Sequence, residues 1–268
     1  MPDNPLDMTG QTVIVTGATM GLGRVIAIRF LEHGADVVVC ARREPDAPVT
    51  AGGREAVFVA ADVRDPEQIA AVVDEAVDRT GRIDVLVNNA GGAPPADTAT
   101  VSPRFNEKVI ALNLLAPLTF AQAVHPVMST QEGGGVIINI SSVSSIRPAP
   151  ASAAYGAAKA GLDSLTRTLA HEWGPSIRVL SVMVGLLRTE QAHLYYGDEA
   201  GIDAVGRTLA SGRLGDPDEI AGVVLFCASP LASYISGASV PVHGGGEVPS
   251  YLLATTGEVA EFRPGSKP

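Results

Sequence analysis

Tyr155 and Lys159 stand four residues apart in the run YGAAK. On a helix that spacing puts both side chains on one face. A phenol is a weak acid near neutrality, with an ordinary pKa of about 10. An ammonium group beside it favours the phenolate and draws that value down, so a Tyr–Lys pair is a tunable general acid and base. Ser142 follows the apolar run VIINI at 136–140. Parallel sheets bind ligands at the carboxyl ends of their strands, so a hydroxyl there can hydrogen-bond a substrate oxygen.

A second cluster, TGATMGLG at 16–23, follows the apolar run TVIVT. Gly17 permits a tight turn, Gly21 lets the backbone approach a pyrophosphate, and Gly23 allows close helix packing. Phosphates would then face unpaired N–H groups at 22–24. The spacing is G-x-x-x-G-x-G, and glycines also mark ordinary turns. The next strand ends Cys40-Ala41-Arg42-Arg43. A dinucleotide fold that holds NAD usually places a carboxylate there, on the ribose hydroxyls. Ala41 occupies that place, and the Arg42 guanidinium suits a 2′-phosphate, which favours NADP(H) over NAD(H). The plainer reading is that Arg42 and Arg43 are solvated loop charges. Met20 adds no basic residue.

These groups need a scaffold. β-branched runs predict strands at Thr12–Thr16, Asp36–Ala41, 56–60, 83–87, 136–140, Ile177–Val184 and Ser239–Val242. Helical patterns occupy 22–33, Pro66–Thr80, 105–128, Ala153–Trp173 and Pro217–Ala228. Continuous apolar strands alternating with helices predict an α/β fold: a doubly wound parallel sheet of Rossmann type, three layers αβα, in a single domain over 1–268. Two stretches break the rhythm. The segment 93–103 is rich in Pro and Thr, and 186–214 carries His193, Tyr195 and Tyr196. Long segments of this kind often cover sites, and 186–214 is expected to be a substrate lid. The tail 247–268 has weak periodicity, with fraying expected at 263–268.

Composition narrows the function classes. The 268 residues carry a net charge of −10, with 46% hydrophobic and 18% charged. That mix argues against disorder. The acidic balance argues against nucleic-acid and membrane-surface partners, but not against an anionic cofactor held by local donors. No secretory signal and no apolar run of about 18 residues is evident. Cys40 and Cys227 sit in apolar runs and read as buried thiols, which points weakly to a reducing, cytoplasmic setting. No metal-ligand spacing is present.

In order and spacing, TGATMGLG, Asp62-Val63, NNAG at 88–91, Asn113, Ser142 and YGAAK resemble the short-chain dehydrogenase/reductase family in its single-domain form, from about Thr9 to Gly246. The resemblance implies a nicotinamide-dependent oxidoreductase acting on a ketone or secondary alcohol. Tyr155 would exchange a proton with the substrate oxygen, and Ser142 would orient that oxygen. Lys159 would lower the Tyr155 pKa and hold the nicotinamide ribose, and Asn113 would fix a water linking Lys159 to solvent. Gly17, Thr19, Met20, Gly21, Leu22 and Gly23 would form the phosphate turn, with Arg42 and Arg43 at the adenosine ribose. Asp62 and Val63 would border the adenine, while Asn89, Ala90 and Gly91 line the ribose side. Asn88 would brace the central strands. Gly185 opens the next cofactor segment, with the Leu187 backbone at the nicotinamide amide and Thr189 near it or the pyrophosphate. Taken singly, Asn113 also reads as a helix-bonding or solvated side chain and Asp62 as an N-cap before Pro66.

The chain departs from the family twice. Val184 stands where proline is usual, which puts the order of the following loop in doubt. His243 begins a run HGGG where Asp-Gly-Gly is frequent; it fills the turn or touches a neighbouring subunit. Homotetramers or dimers are implied by resemblance, and the Leu and Tyr residues of 186–214 point to an apolar or bulky substrate. The alternative function is a silent nucleotide-binding regulator or scaffold of the same fold. Such a protein would have lost Ser142, Tyr155 or Lys159, and all three are present. Lyase or epimerase relatives usually carry a larger C-terminal domain.

Overall fold

In the computed structural model, which describes residues 4–262, β1 (Thr12–Thr16), α1 (Gly21–Glu32) and β2 (Asp36–Ala41) open the chain. A short hairpin, β3 (Thr50–Ala51) and β4 (Arg54–Glu55), leads to β5 (Val57–Ala60) and α2 (Pro66–Thr80). Then come β6 (Val85–Asn88), α3 (Pro103–Ile110), a π-helical turn (Ala111–Leu115), α4 (Ala116–Thr130) and β7 (Gly135–Ser142). The chain continues with α5 (Ala153–Trp173), β8 (Ile177–Val184), α6 (Ala192–Tyr196), α7 (Glu199–Gly206), α8 (Pro217–Ala228), β9 (Ser239–Val242) and α9 (Ser250–Ala254).

Seven strands form one parallel sheet in the order β5-β2-β1-β6-β7-β8-β9. From β1 the chain first winds outward through β2 and β5, then returns to β6 and winds the other way. The order therefore reverses between β1 and β6. Crossovers leave opposite ways there, and a crevice opens at the carboxyl ends of those two strands.

Both faces of the sheet are dry. On one side Ile26, Phe30 and Leu31 of α1 and Ile220, Val224 and Leu225 of α8 cover Val13, Val15, Val37 and Ile138. On the other, Val72 and Ala76 of α2, Phe120 and Val124 of α4 and Leu169 of α5 cover Ile14, Leu86 and Ile137. Three helix starts follow local signals: proline at the first turn, with Asp65, Ser102 or Asp216 accepting from the backbone N–H groups. Asp216 and Glu219 complete a capping box on α8.

One buried polar chain crosses the second core. Asn88 Nδ2 donates to Asn139 Oδ1 at 2.9 Å, and Asn139 Nδ2 donates to the Thr166 hydroxyl at 2.9 Å. Thr166 in turn donates to the Leu162 carbonyl at 2.8 Å. This chain ties β6, β7 and α5 together, so Asn88 has the bracing role expected of it.

Three expectations change. The helix at 105–128 runs from 103 to 130 and is broken by the π turn, where Pro117 follows at the start of α4. That whole stretch is long and apolar enough in composition to cross a membrane. Yet Phe120, Ala121, Val124 and Met128 line its sheet-facing side, as in a core helix. The segment 186–214 is not an open loop. It folds as α6 and α7 around a cluster of Ala192, Ile202, Leu209 and Leu214. The β3–β4 hairpin was not expected, although Gly52 and Gly53, both with positive φ, are a two-residue hairpin signal. The expected fraying at 263–268 lies outside the described residues.

Asn139→Ala should lower the unfolding free energy by about 2–4 kcal/mol, because it opens a cavity and leaves Asn88 and Thr166 short of a partner in a dry core. Urea denaturation followed by circular dichroism measures this, and a loss under about 0.5 kcal/mol would show that the chain is not a brace.

Candidate active site

The crevice at β1 and β6 is closed on its inner side by one hydroxyl. Thr16 Oγ1 accepts from the N–H groups of Asn89 at 3.0 Å and Ala90 at 2.9 Å. The Asn89 amide returns the contact, donating to the carbonyls of Thr16 at 2.9 Å and Gly17 at 3.1 Å. The Asn89 side chain is therefore spent on bracing the glycine turn. Two glycines are forced by this closeness. A Cβ on Gly17 would lie 2.9 Å from the Ala90 Cα, and one on Gly23 would lie 2.4 Å from both Asn89 Nδ2 and the Gly17 carbonyl oxygen.

Gly21 differs. It has φ +55°, and a Cβ there would meet nothing within 4 Å, so open space lies before the N-terminus of α1. The N-cap residue Met20 supplies no side-chain acceptor. The Gly21 N–H instead donates to the Glu190 carboxylate at 2.7 Å, and the Gln191 amide approaches the Met20 sulfur at 3.7 Å. Thr19 and Leu22 flank this open end, half-buried.

Arg42 and Arg43 are exposed past the end of β2 and have no hydrogen bond or ion pair among the described residues. The Arg64 guanidinium, hydrogen-bonded to Asp62, holds that carboxyl down at about 2, and Arg42 adds a smaller pull. The N-cap of α2 is Asp65, not Asp62. Val63 is buried.

At the mouth of the crevice α5 presents Tyr155 and Lys159 together. Ser142 lies near enough to act on the Tyr155 phenol, and Lys159 Nζ lies 5.7 Å from the centre of the Tyr155 ring. Ser142 also accepts from the Ser144 N–H at 3.2 Å, which fixes the turn after β7. Lys159 is buried and donates to the Ile140 carbonyl at 2.7 Å. Burial pushes the Tyr155 phenol above its ordinary value, opposed by Ser142, so the lowering expected from Lys159 is not the net effect here. Desolvation of the half-buried ring is the largest cause. Burial likewise draws Lys159 down to about 8, with Asp163 opposing.

Asn113 stands in the π turn, fully buried. It donates to the Gly92 carbonyl at 3.0 Å and the Val109 carbonyl at 2.9 Å, and it accepts from the Gly92 N–H at 2.8 Å. Asn113 Oδ1 and Lys159 Nζ both crowd Gly91, at 2.7 and 3.4 Å from where its Cβ would be. The structure thus gathers Asn113, Ser142, Tyr155, Lys159 and Gly91, drawn from four different elements.

The stretch after β8 is ordered without a proline at 184. Val184 pairs with Ser142 on one side and Val242 on the other, so strand neighbours hold the backbone. Gly185 donates to the Val242 carbonyl at 3.0 Å. Beyond it, Gly215 bonds the Leu186 carbonyl and the Arg188 N–H, leaving the Leu187 peptide groups out of that ladder. Thr189 follows, half-buried. His243 packs against Gly185 and accepts through its carbonyl from the Gly246 N–H, so it fills the turn. The tail joins 186–214 through the Leu209–Glu247 bridge, and Arg147 pairs with Glu247 at 2.5 Å.

Sequence reasoning missed Thr16, Glu190, Arg64 and Asp163. Only Thr16 lay within a quoted motif. Glu190 acts through a partner 169 positions away that no spacing encodes, whereas Arg64 bonds Asp62 two residues before it and Asp163 stands four residues beyond Lys159. A cavity of about 460 Å³, lined by Val39, Pro48 and Phe58 among others, contains none of the residues around Tyr155.

Comparison with known proteins identifies the family. A family model described as enoyl-(acyl carrier protein) reductase matches residues 17–247. The 3alpha-hydroxysteroid dehydrogenase of Mediterraneibacter gnavus is 33% identical over 245 residues, covering 88% of this chain and 97% of that protein. The L-rhamnose 1-dehydrogenase (NAD(P)(+)) of a Sphingomonas species is 34% identical over 245 residues, covering 89% and 96%. A structure of 7α-hydroxysteroid dehydrogenase complexed with NADH and 7-oxo glycochenodeoxycholic acid superposes with a TM-score of 0.85 at 31% identity, covering 92% of this chain and 98% of the other. Likeness of this extent, in sequence and in fold, makes the chain a member of the short-chain dehydrogenase/reductase family, an oxidoreductase that transfers hydride between a nicotinamide cofactor and an alcohol or ketone.

Proposed function

We propose that the chain is an NADP(H)-preferring reductase of ketones, reversible toward the secondary alcohol, with Tyr155 as its proton-transfer residue. The observation that carries this is the placing of Tyr155 and a buried Lys159 on one face of α5, beside Ser142 at the end of β7 and near the glycine turn. When bound, the nicotinamide supplies or accepts the hydride. The chain manages the proton. In reduction the Tyr155 hydroxyl donates its proton to the substrate oxygen, which Ser142 holds in place. The Lys159 ammonium stabilises the phenolate that remains, and Asn113 holds the water through which the proton returns.

The glycine turn fits a diphosphate. The Gly21 position leaves open space before a helix N-terminus whose N-cap offers no acceptor of its own. Gly17, Thr19, Met20, Leu22 and Gly23 shape that turn, and Asp62, Val63, Asn89, Ala90 and Gly91 form the wall leading to Lys159. Leu187, Thr189 and Gly185 would meet the nicotinamide end. Arg42 carries the NADP(H) preference, since its guanidinium is exposed and unpaired among the described residues, with Arg43 beside it. The segment 186–214 serves as the substrate lid, exposing Leu194 and Tyr195. A bulky, apolar ketone suits those residues, and the steroid-acting relatives make ring ketones the first to try. A single domain, homotetrameric or dimeric assembly and a cytoplasmic setting complete the proposal. Family membership supports the assembly, and the two buried free thiols support the setting.

Three variants test it. Tyr155→Phe should lower turnover on any accepted ketone by about 10²–10⁴-fold while cofactor affinity stays within a factor of about two. Full activity in that variant would remove Tyr155 from the mechanism. Arg42→Ala should weaken NADPH binding by roughly tenfold or more and leave NADH unchanged, read by cofactor fluorescence. Equal losses for both cofactors would overturn the 2′-phosphate role. Glu190→Gln keeps an acceptor at the Gly21 N–H but removes a negative charge from the phosphate site. It should tighten both cofactors by roughly two- to fivefold, and weaker binding would place Glu190 among the supporting residues.

A further inference from the structure

Tyr155, Lys159 and Asp163 occur at successive four-residue steps along α5, so they stack on one face. The proposed mechanism uses the first two and leaves Asp163 without a role. Its side chain is 6% exposed. Its Oδ1 accepts from the Ser181 hydroxyl of β8 at 2.8 Å and from the Ser239 hydroxyl of β9 at 3.5 Å. Neither donor carries a charge, and no Arg or Lys makes an ion pair with Asp163 among the described residues. A carboxyl group buried on two hydroxyls is costly to keep unless something gains from its charge.

The group one turn away has that need. Lys159 is 4% exposed, and its direct partner is a neutral carbonyl, that of Ile140. The titratable groups on the elements packed against α5 are engaged elsewhere: Arg178 of β8 bonds the Ile235 and Cys227 carbonyls, and His125 of α4 lies against Trp173 at the far end of the helix. The π turn brings Asn113, β7 brings the Ile140 carbonyl, β8 and β9 bring Ser181 and Ser239, and the charged residues of α3, Arg104, Glu107 and Lys108, are exposed to solvent. On its own helix the other titratable neighbour is Tyr155, which faces Tyr195 of the lid. Asp163 is thus the one charge that bears on Lys159 among the described residues.

We propose that Asp163 is a positioning residue: its buried carboxylate, fixed by Ser181 and Ser239, is the counter-charge that keeps Lys159 an ammonium beside Tyr155. Burial already draws Lys159 down to about 8, with Asp163 pulling the other way. Without the carboxylate, Lys159 would shed its proton near neutrality, and a neutral amine gives a phenolate little support. The inference deepens the proposed function, since it gives Lys159 its working charge.

The chain has three lysines, Lys108, Lys159 and Lys267. Labelling with [ε-¹³C]lysine therefore gives a simple NMR spectrum, and Lys159→Arg identifies the Lys159 signal. The titration needs neither cofactor nor substrate, so its failure is separate from failure of the reductase reading. Asp163→Asn preserves an acceptor for Ser181 and removes the charge. The Lys159 midpoint should fall by roughly two pH units, the scale for two unit charges a helical turn apart at an effective dielectric near 20. Asp163→Glu should restore it. If the amide fails to fold, Asp163→Ser removes the charge with a smaller side chain, and the same fall is expected. A midpoint unchanged in a folded, charge-free variant overturns the proposal and leaves Asp163 as a brace between α5 and the sheet.

Discussion

The Thr16 hydroxyl holds the site together. By accepting from Asn89 and Ala90 it clasps the ends of β1 and β6, the two strands between which the sheet reverses direction. Every other cofactor-side feature is set by that closeness. Gly17 and Gly23 must lack a Cβ because the strand ends are drawn so near, and the Asn89 amide is positioned to fill the remaining acceptors of the turn. The helix N-terminus that follows is then aimed into the crevice, where an anion finds N–H groups and a favourable dipole. The Glu190 carboxylate accepts from the first of these N–H groups, that of Gly21.

Burial works in opposite directions on the two residues proposed for proton transfer. It raises the phenol of Tyr155 and lowers the ammonium of Lys159, so each is pushed toward its neutral form. A pair that must exchange and support charge needs neighbours to offset this. Ser142 opposes the shift of Tyr155, and Asp163 opposes that of Lys159. The π turn contributes geometry, not charge. It carries Asn113 out of regular helical register so that its amide can bond both Gly92 and Val109. Such turns often lie at functional sites.

Most of the fold was legible because its elements obey local rules. The helices Pro66–Thr80, Ala153–Trp173 and Pro217–Ala228 begin and end where the periodicity places them, the first and last marked by Asp-Pro. Strands buried on both faces read as unbroken apolar runs. The break at 111–115 was not legible, since ALNLL has the same composition as a regular helix. Nor was the folding of 186–214, where helices of five and eight residues are too short to show a period and depend on a small cluster of their own.

The sequence by itself determined the parallel architecture, the glycine turn and the Tyr155–Lys159 pair, because these rest on spacing within one helix or one strand-to-turn junction. Tertiary structure decided which groups surround them. It turned Asn89 onto the glycine turn, placed Glu190 on Gly21 and set Asp163 against Ser181 and Ser239 of two strands. These contacts join residues as far apart as 169 positions, and they arise only when the sheet order is known. Charge and desolvation act through space, so the pKa of a side chain belongs to the packed site and not to its neighbours in the chain.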